Sequence, residues 1–96
     1  MAMSDDLEAF NAIISGKVQG VFFRASMKQI AEENKVVGWV RNLDNGSVEA
    51  LIQGRRSDVV AVLDWCNLGP KHSIVSNVKV TRLKVEPSLR NFVVLI

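Results

Sequence analysis

The sequence predicts an α+β fold: one antiparallel sheet with two helices on one of its faces, in the order βαββαβ followed by a short fifth strand. Three observations lead there. Apolar residues recur at every second position in several stretches, the period of a strand with one buried face. Two intervening stretches carry apolar residues at the three- and four-residue spacing of an amphipathic helix. Between the second and third strands stands Asn45-Gly46, a dipeptide that favours a tight hairpin turn.

The first strand is carried by Phe10, Ala12, Ile14, Gly16 and Val18, with Gly16 leaving room for a close approach on that face. Residues 1–8 are polar and are expected to be a flexible tail, so that the domain spans 9–96. The first helix is expected over 22–33, with Phe23, Met27, Ile30 and Ala31 as its core stripe and Asn34 as a left-handed C-cap. The second strand covers 36–42, rich in Val and Trp. The third presents Val48, Ala50 and Ile52 on one face and Glu49, Leu51 and Gln53 on the other, ending at Gly54. Ser57 is the expected cap of the second helix, with Asp58 in its first turn. Val59, Val62, Leu63 and Cys66 form that helix's buried stripe, Trp65 packs at the edge, and Gly69-Pro70 stops it. The fourth strand runs over 75–83 with Val78 and Val80 inward. Pro87-Ser88 is a turn, and 90–96 is a short last strand with Phe92, Val94 and Ile96 on one face. This is the pattern of the ferredoxin-like split βαβ sandwich. A right-handed crossover makes the first and second strands parallel, with the third between them.

Ninety-six residues make one domain, and 48% hydrophobic residues suffice for one core. The net charge of +2 is mild, and the basic residues are scattered apart from the pair Arg55-Arg56. That charge favours anionic small molecules over nucleic acid. The acidic start has no basic and apolar segments of a signal peptide. No apolar run approaches the roughly 20 residues that span a bilayer. One cysteine, Cys66, allows no internal disulfide and fits a reducing compartment. A cytoplasmic monomer without membrane or nucleic-acid partners is expected.

The stretch that carries chemistry is Ile14-Ser-Gly-Lys-Val-Gln-Gly-Val-Phe-Phe-Arg24. An apolar strand enters, a turn with Gly20 follows, and a helix leaves with Arg24 in its first turns. A helix start carries unpaired N–H groups and the positive end of the dipole. Glycines let backbone amides approach a small anion, and a guanidinium fork matches phosphate oxygens. From the residues alone two readings stand: a phosphate cradle, or a tight strand–helix turn with a solvated Arg. The stretch is neither a Walker loop nor a dinucleotide fingerprint. Cys66 lies on an apolar stripe and reads as core. His72 follows Gly-Pro in a loop and reads as solvated. One His, one buried Cys and no clustered carboxylates argue against a metal site. Arg41 alternates away from Asn42 along the second strand. Trp39 shares its side, either covering the sheet edge or forming a surface patch.

Gly16-Lys-Val-Gln-Gly-Val-Phe-Phe-Arg24, followed by Gly38-Trp-Val-Arg-Asn42, Gly46-Ser-Val48 and Gly54, resembles the two signatures of the acylphosphatase family, in order and spacing. The resemblance runs from about Phe10 to the C-terminus. Phe22 stands where glycine is common in that family. The resemblance implies a ferredoxin-like fold and hydrolysis of carboxyl-phosphate mixed anhydrides; from the lack of ligand clusters and the cationic cradle, no metal and no cofactor are expected. It implies that Arg24 and the backbone of Gln19, Gly20, Val21, Phe22 and Phe23 bind the phosphoryl group, and that Asn42 positions the attacking water. Inorganic phosphate or sulfate would then compete with the acyl phosphate. Two other readings stand beside this one. A carbamoyl-phosphate domain, as in hydrogenase-maturation carbamoyltransferases, would sit at the front of a much longer chain. An RNA-binding ferredoxin-like module would need aromatics on the open sheet face, whereas the chain has no Tyr and its Phe residues mostly fall on core positions.

Overall fold

The computed structural model describes residues 6–95. Strands β1 (Leu7–Lys17), β2 (Val37–Asn42), β3 (Val48–Arg55), β4 (Ile74–Leu83) and β5 (Phe92–Val94) alternate with helices α1 (Phe23–Glu33) and α2 (Arg56–Leu68). They form one sheet in the order β4-β1-β3-β2-β5. β3 is antiparallel to both β1 and β2, so those two run parallel to each other and end at the same edge of the sheet. β5 joins β2 in parallel, which makes the sheet mixed rather than wholly antiparallel as expected. α1 packs on β2 and β5, and α2 on β1, β3 and β4.

The core lies between the helices and one sheet face. Ala12, Ile14, Val40, Val48, Ala50 and Ile52 from the strands meet Phe23, Met27, Ala31, Val59, Val62 and Cys66 from the helices, all buried. Phe23 and Trp65 join the two helices, ring centroids 5.1 Å apart and tilted by 56°. Gly16 has a φ of 125° at a shift of register between β1 and β4. A side chain there would run into the backbone of Ile74 and Ser76, so the room it leaves is filled by β4.

Several local expectations are corrected. β1 starts at Leu7, and Leu7 and Glu8 pair with Arg55 and Gly54, so the ordered chain begins inside the expected tail. Residues 1–5 lie outside the described residues. Asn34 is not left-handed: its φ is −103°, and its side chain donates to the Ile30 carbonyl at 2.8 Å. The left-handed residue is Lys35, with φ 60°. The amides of Lys35 and Val36 return to the carbonyls of Glu32 and Ala31, which puts the left-handed position one residue past the C-cap. β3 continues through Gly54 to Arg55 and passes straight into α2, so Arg55 occupies the N-cap and Ser57 already lies in the helix. Asn45-Gly46 turns within a five-residue connection closed by the Leu43 amide on the Ser47 carbonyl, longer than a two-residue turn. Val80, expected inward, sits opposite Ala12 on edge strand β4 and is 43% exposed. Gln53, expected on the open face, is buried. Its side chain exchanges hydrogen bonds of 3.0 and 2.7 Å with the backbone of Glu86, which draws the segment after β4 across that face. Ile96, expected on the last strand, lies outside the described residues.

Among the described residues, no helix is long and apolar enough to cross a membrane.

The Cys66 thiol is buried in this core, and burial pushes its pKa up to about 12. Cys66→Ala removes one buried sulfur and is expected to destabilise by about 1 kcal/mol through the small cavity left. Urea unfolding should show a lower midpoint at unchanged slope.

Candidate active site

The parallel run of β1 and β2 brings two connections to one sheet edge: residues 18–22, leading into α1, and residues 43–47, leading out of β2. The first is pinned on alternate sides of the loop tip. Val18 and Phe23 are buried, and Val21 packs against the core. Between them Gly20 and Phe22 are left-handed, with φ of 75° and 63°. Left-handed residues in a tight turn gather successive N–H groups into a concavity suited to an anion. Phe22 is also the N-cap of α1, where it makes no side-chain cap, and the first turn contains no acidic residue. α2, by contrast, has Asp58 in its first turn. The start of α1 therefore keeps its positive dipole end and unpaired amides uncompensated by its own side chains.

Above this helix start lies a cleft of about 300 Å³ lined by Gly20, Phe22, Phe23, Arg24 and Asn42, with Val18, Ala25 and Val94 as further walls. Arg24 Nη1 donates to the carbonyl of Leu95 at 3.1 Å. Leu95 in turn is held by its amide on the Val40 carbonyl at 2.8 Å. The end of the chain thus braces the guanidinium against β2. Among the described residues Arg24 has no carboxylate partner. Across the cleft Asn42 ends β2 opposite Val48, and its side-chain amide has no hydrogen-bond partner among the described residues.

Of the residues singled out in the sequence, Arg24, Asn42, Gly20, Phe22 and Phe23 share the cleft. Gln19 and Val21 are absent from its lining. Gln19 turns its side chain the other way: Nε2 donates to the carbonyls of Leu43 and Ser47, at 2.8 and 2.9 Å. With a 3.2 Å contact between the hydroxyls of Ser15 and Ser47, it clasps the loop before Arg24 to the loop after Asn42. Sequence reasoning missed both this clasp and the Leu95 carbonyl, since neither partner is near in the chain. The left-handed backbone at residue 22 did leave a signal, the glycine common there in the resembling family. A side chain in this conformation costs roughly 1–2 kcal/mol.

The remaining candidates lie elsewhere. Arg41 Nε binds Glu49 at 2.7 Å and its guanidinium lies 5.2 Å from the Trp39 ring, a surface cluster on the open face. Partial burial pushes the Glu49 carboxyl up, but hydrogen bonds from Asn11 and Arg41 and the Arg41 charge outweigh it and hold the group below the usual carboxylate range. His72 is exposed in a loop. Among the described residues no three His, Cys, Asp or Glu side chains gather as metal ligands would.

A ferredoxin-like sandwich with a cationic, backbone-rich cleft at the ends of two parallel strands defines a small anion-handling α+β domain. The acylphosphatase family model matches residues 10–94. The chain is 49% identical over 74 residues to an acylphosphatase of Syntrophus aciditrophicus, covering 77% of each chain. It is 46% identical over 87 residues to one of Roseiflexus sp., covering 91% of this chain and 94% of the relative. The structure of an acylphosphatase from Coxiella burnetii superposes with a TM-score of 0.89 at 39% identity, covering 94% of both chains. The chain belongs to the acylphosphatase family.

Gln19→Ala removes two hydrogen bonds between the loops and is expected to destabilise by about 1–2 kcal/mol. Thermal unfolding should show it, and the amides of Leu43 to Ser47 should exchange faster with deuterium.

Proposed function

We propose that this protein hydrolyses acyl phosphates to a carboxylate and inorganic phosphate, with Arg24 and the amides of the 19–23 loop holding the phosphoryl group and Asn42 positioning the water. The observation that carries the reading is the braced Arg24 facing Asn42 across the open, uncapped start of α1.

The chemistry asks little more. The water oxygen forms a bond to phosphorus as the bond from phosphorus to the acyl oxygen breaks, and the electron pair leaves with the carboxylate. An acyl phosphate dianion and water become a carboxylate and dihydrogen phosphate, so both protons of the water end on phosphate. A carboxylate is a good leaving group, and no strong general acid is needed. Catalysis then consists of positioning and of donors aimed where charge shifts during transfer. Arg24 offers five N–H donors in one plane, of which one on Nη1 is engaged by the Leu95 carbonyl. Asn42 has no basic nitrogen, but its amide both donates and accepts, so it can hold a water in line by hydrogen bonds. The buried Cys66 thiol stays protonated and takes no part. With the cation supplied by Arg24, the step is expected to run without a metal, in a cytoplasmic monomer.

The test of the reaction class is hydrolysis of benzoyl phosphate against p-nitrophenyl phosphate. Release of phosphate from the first and not the second is expected; equal rates would mean a general phosphatase. Excess EDTA should leave the rate unchanged, and a loss restored by a divalent ion would overturn the metal-free reading.

The roles of the two residues separate by mutation. Asn42→Ala should lower kcat by about 10²-fold or more, the scale of losing one positioned polar group in a preorganised site. Its inhibition constant for phosphate should stay nearly unchanged. Arg24→Lys keeps the charge and loses the planar fork, so both phosphate affinity and kcat should fall. Normal turnover by folded Asn42→Ala would assign the water to another group.

A further inference from the structure

Phe22 is 83% exposed, more than the other exposed large apolar side chains of the described chain. It is held in a backbone conformation that disfavours side chains, with φ 63° and ψ 27°. Its neighbours are fixed: Phe23 is buried against Trp65, and Val21 packs on the core. The ring at residue 22 is therefore presented outward by an anchored loop, and its exposure leaves it little packing within the chain. It lines the same cleft as Arg24 and Asn42. We propose that the Phe22 ring contacts the acyl half of the substrate and biases the enzyme toward acyl phosphates with an aromatic or bulky apolar acyl group. This inference rests on the hydrolytic function proposed above.

The geometry of the reaction supports the placement. In-line displacement puts the attacking water and the leaving oxygen on opposite sides of phosphorus. Asn42, which would hold the water, stands on the β2–β3 side of the cleft. The leaving acyl group then projects toward the opposite side, where the 18–22 loop carries Phe22. A polar or charged acyl group finds no side-chain ion partner on that loop, whereas an apolar one covers the exposed ring. A flat acyl group has the added advantage of ring-to-ring contact.

The experiment compares kcat/KM for benzoyl phosphate and acetyl phosphate in the wild type, Phe22→Gly and Phe22→Asn. Both replacements suit a left-handed position. Only Gly also loosens the loop. The ratio of the two kcat/KM values cancels any change in phosphoryl handling common to both substrates. The expected result is a fall of that ratio by about fivefold in both variants, the scale of one aromatic contact. An unchanged ratio in either variant would overturn the inference: in both, because the ring does not touch the acyl group, and in Asn alone, because loop stiffness rather than the ring sets the preference. Failure of the underlying function looks different, with folded wild type turning over neither substrate.

Discussion

The insertion of β3 between two parallel strands is the constraint on which the site depends. It separates β1 from β2 by two strand spacings, about 10 Å, and ends both at the same edge. A loop on one and an asparagine on the other then face each other across a gap the size of a phosphoryl group and a water. The apolar faces of both strands fix this register, because a slip by one residue would turn Ile14 or Val40 out of the core. Packing energy spread over the whole sandwich thus sets a distance that no local interaction at the cleft could set by itself.

That distance is refined by two contacts at the edge. The Gln19 amide takes hold of the hairpin that follows Asn42, and the Leu95 carbonyl takes hold of Arg24. Both partners are backbone carbonyls. Such contacts restrain position without adding a charge that would compete with an incoming anion. A carboxylate in either place would attract Arg24 more strongly and also repel phosphate. The brace on Arg24 explains why the short parallel strand β5 matters although it buries little: Phe92 roots it in the core, and its pairing with β2 carries the chain to the guanidinium.

Most of the architecture was legible in the sequence because it rests on periodicity. Alternation in 10–18 and 48–53 and the stripes of Phe23, Met27, Ala31 and of Val59, Val62, Cys66 all report one apolar face meeting another. Element ends were less legible, since they depend on competition between neighbours. Asn34 and Lys35 stand side by side, and the position in the capping motif makes the lysine left-handed while the asparagine side chain bonds back to the helix. Ser57 had the right chemistry for a cap, but β3 ran directly into the helix and left it no role there. Of the candidate site, Arg24 and Asn42 were readable from motif and topology together. The side-chain reach of Gln19, the burial of Gln53 under Glu86 and the carbonyl of Leu95 were not, because each pairs residues at least 24 positions apart through the backbone of one partner.

Three locally unfavourable features coincide at one cleft: a helix start without a cap or an acid, an arginine with no carboxylate partner among the described residues, and a phenylalanine in left-handed backbone. Elsewhere polar groups are met; among the described residues no buried side-chain nitrogen or oxygen lacks a hydrogen bond. Left-handed backbone recurs at Lys35 and His72, and α2 also starts without a side-chain cap, but the meeting of all three features in one cleft marks a place where folding is not the only constraint. Each of the first two features would be relieved by an anion in the cleft, accepting from the helix amides and pairing the guanidinium at once. The third is not relieved by an anion, since backbone strain at Phe22 is indifferent to charge. The Phe22 ring lines the cleft, and the part of the proposed substrate with an apolar surface to offer it is the acyl group rather than the phosphate.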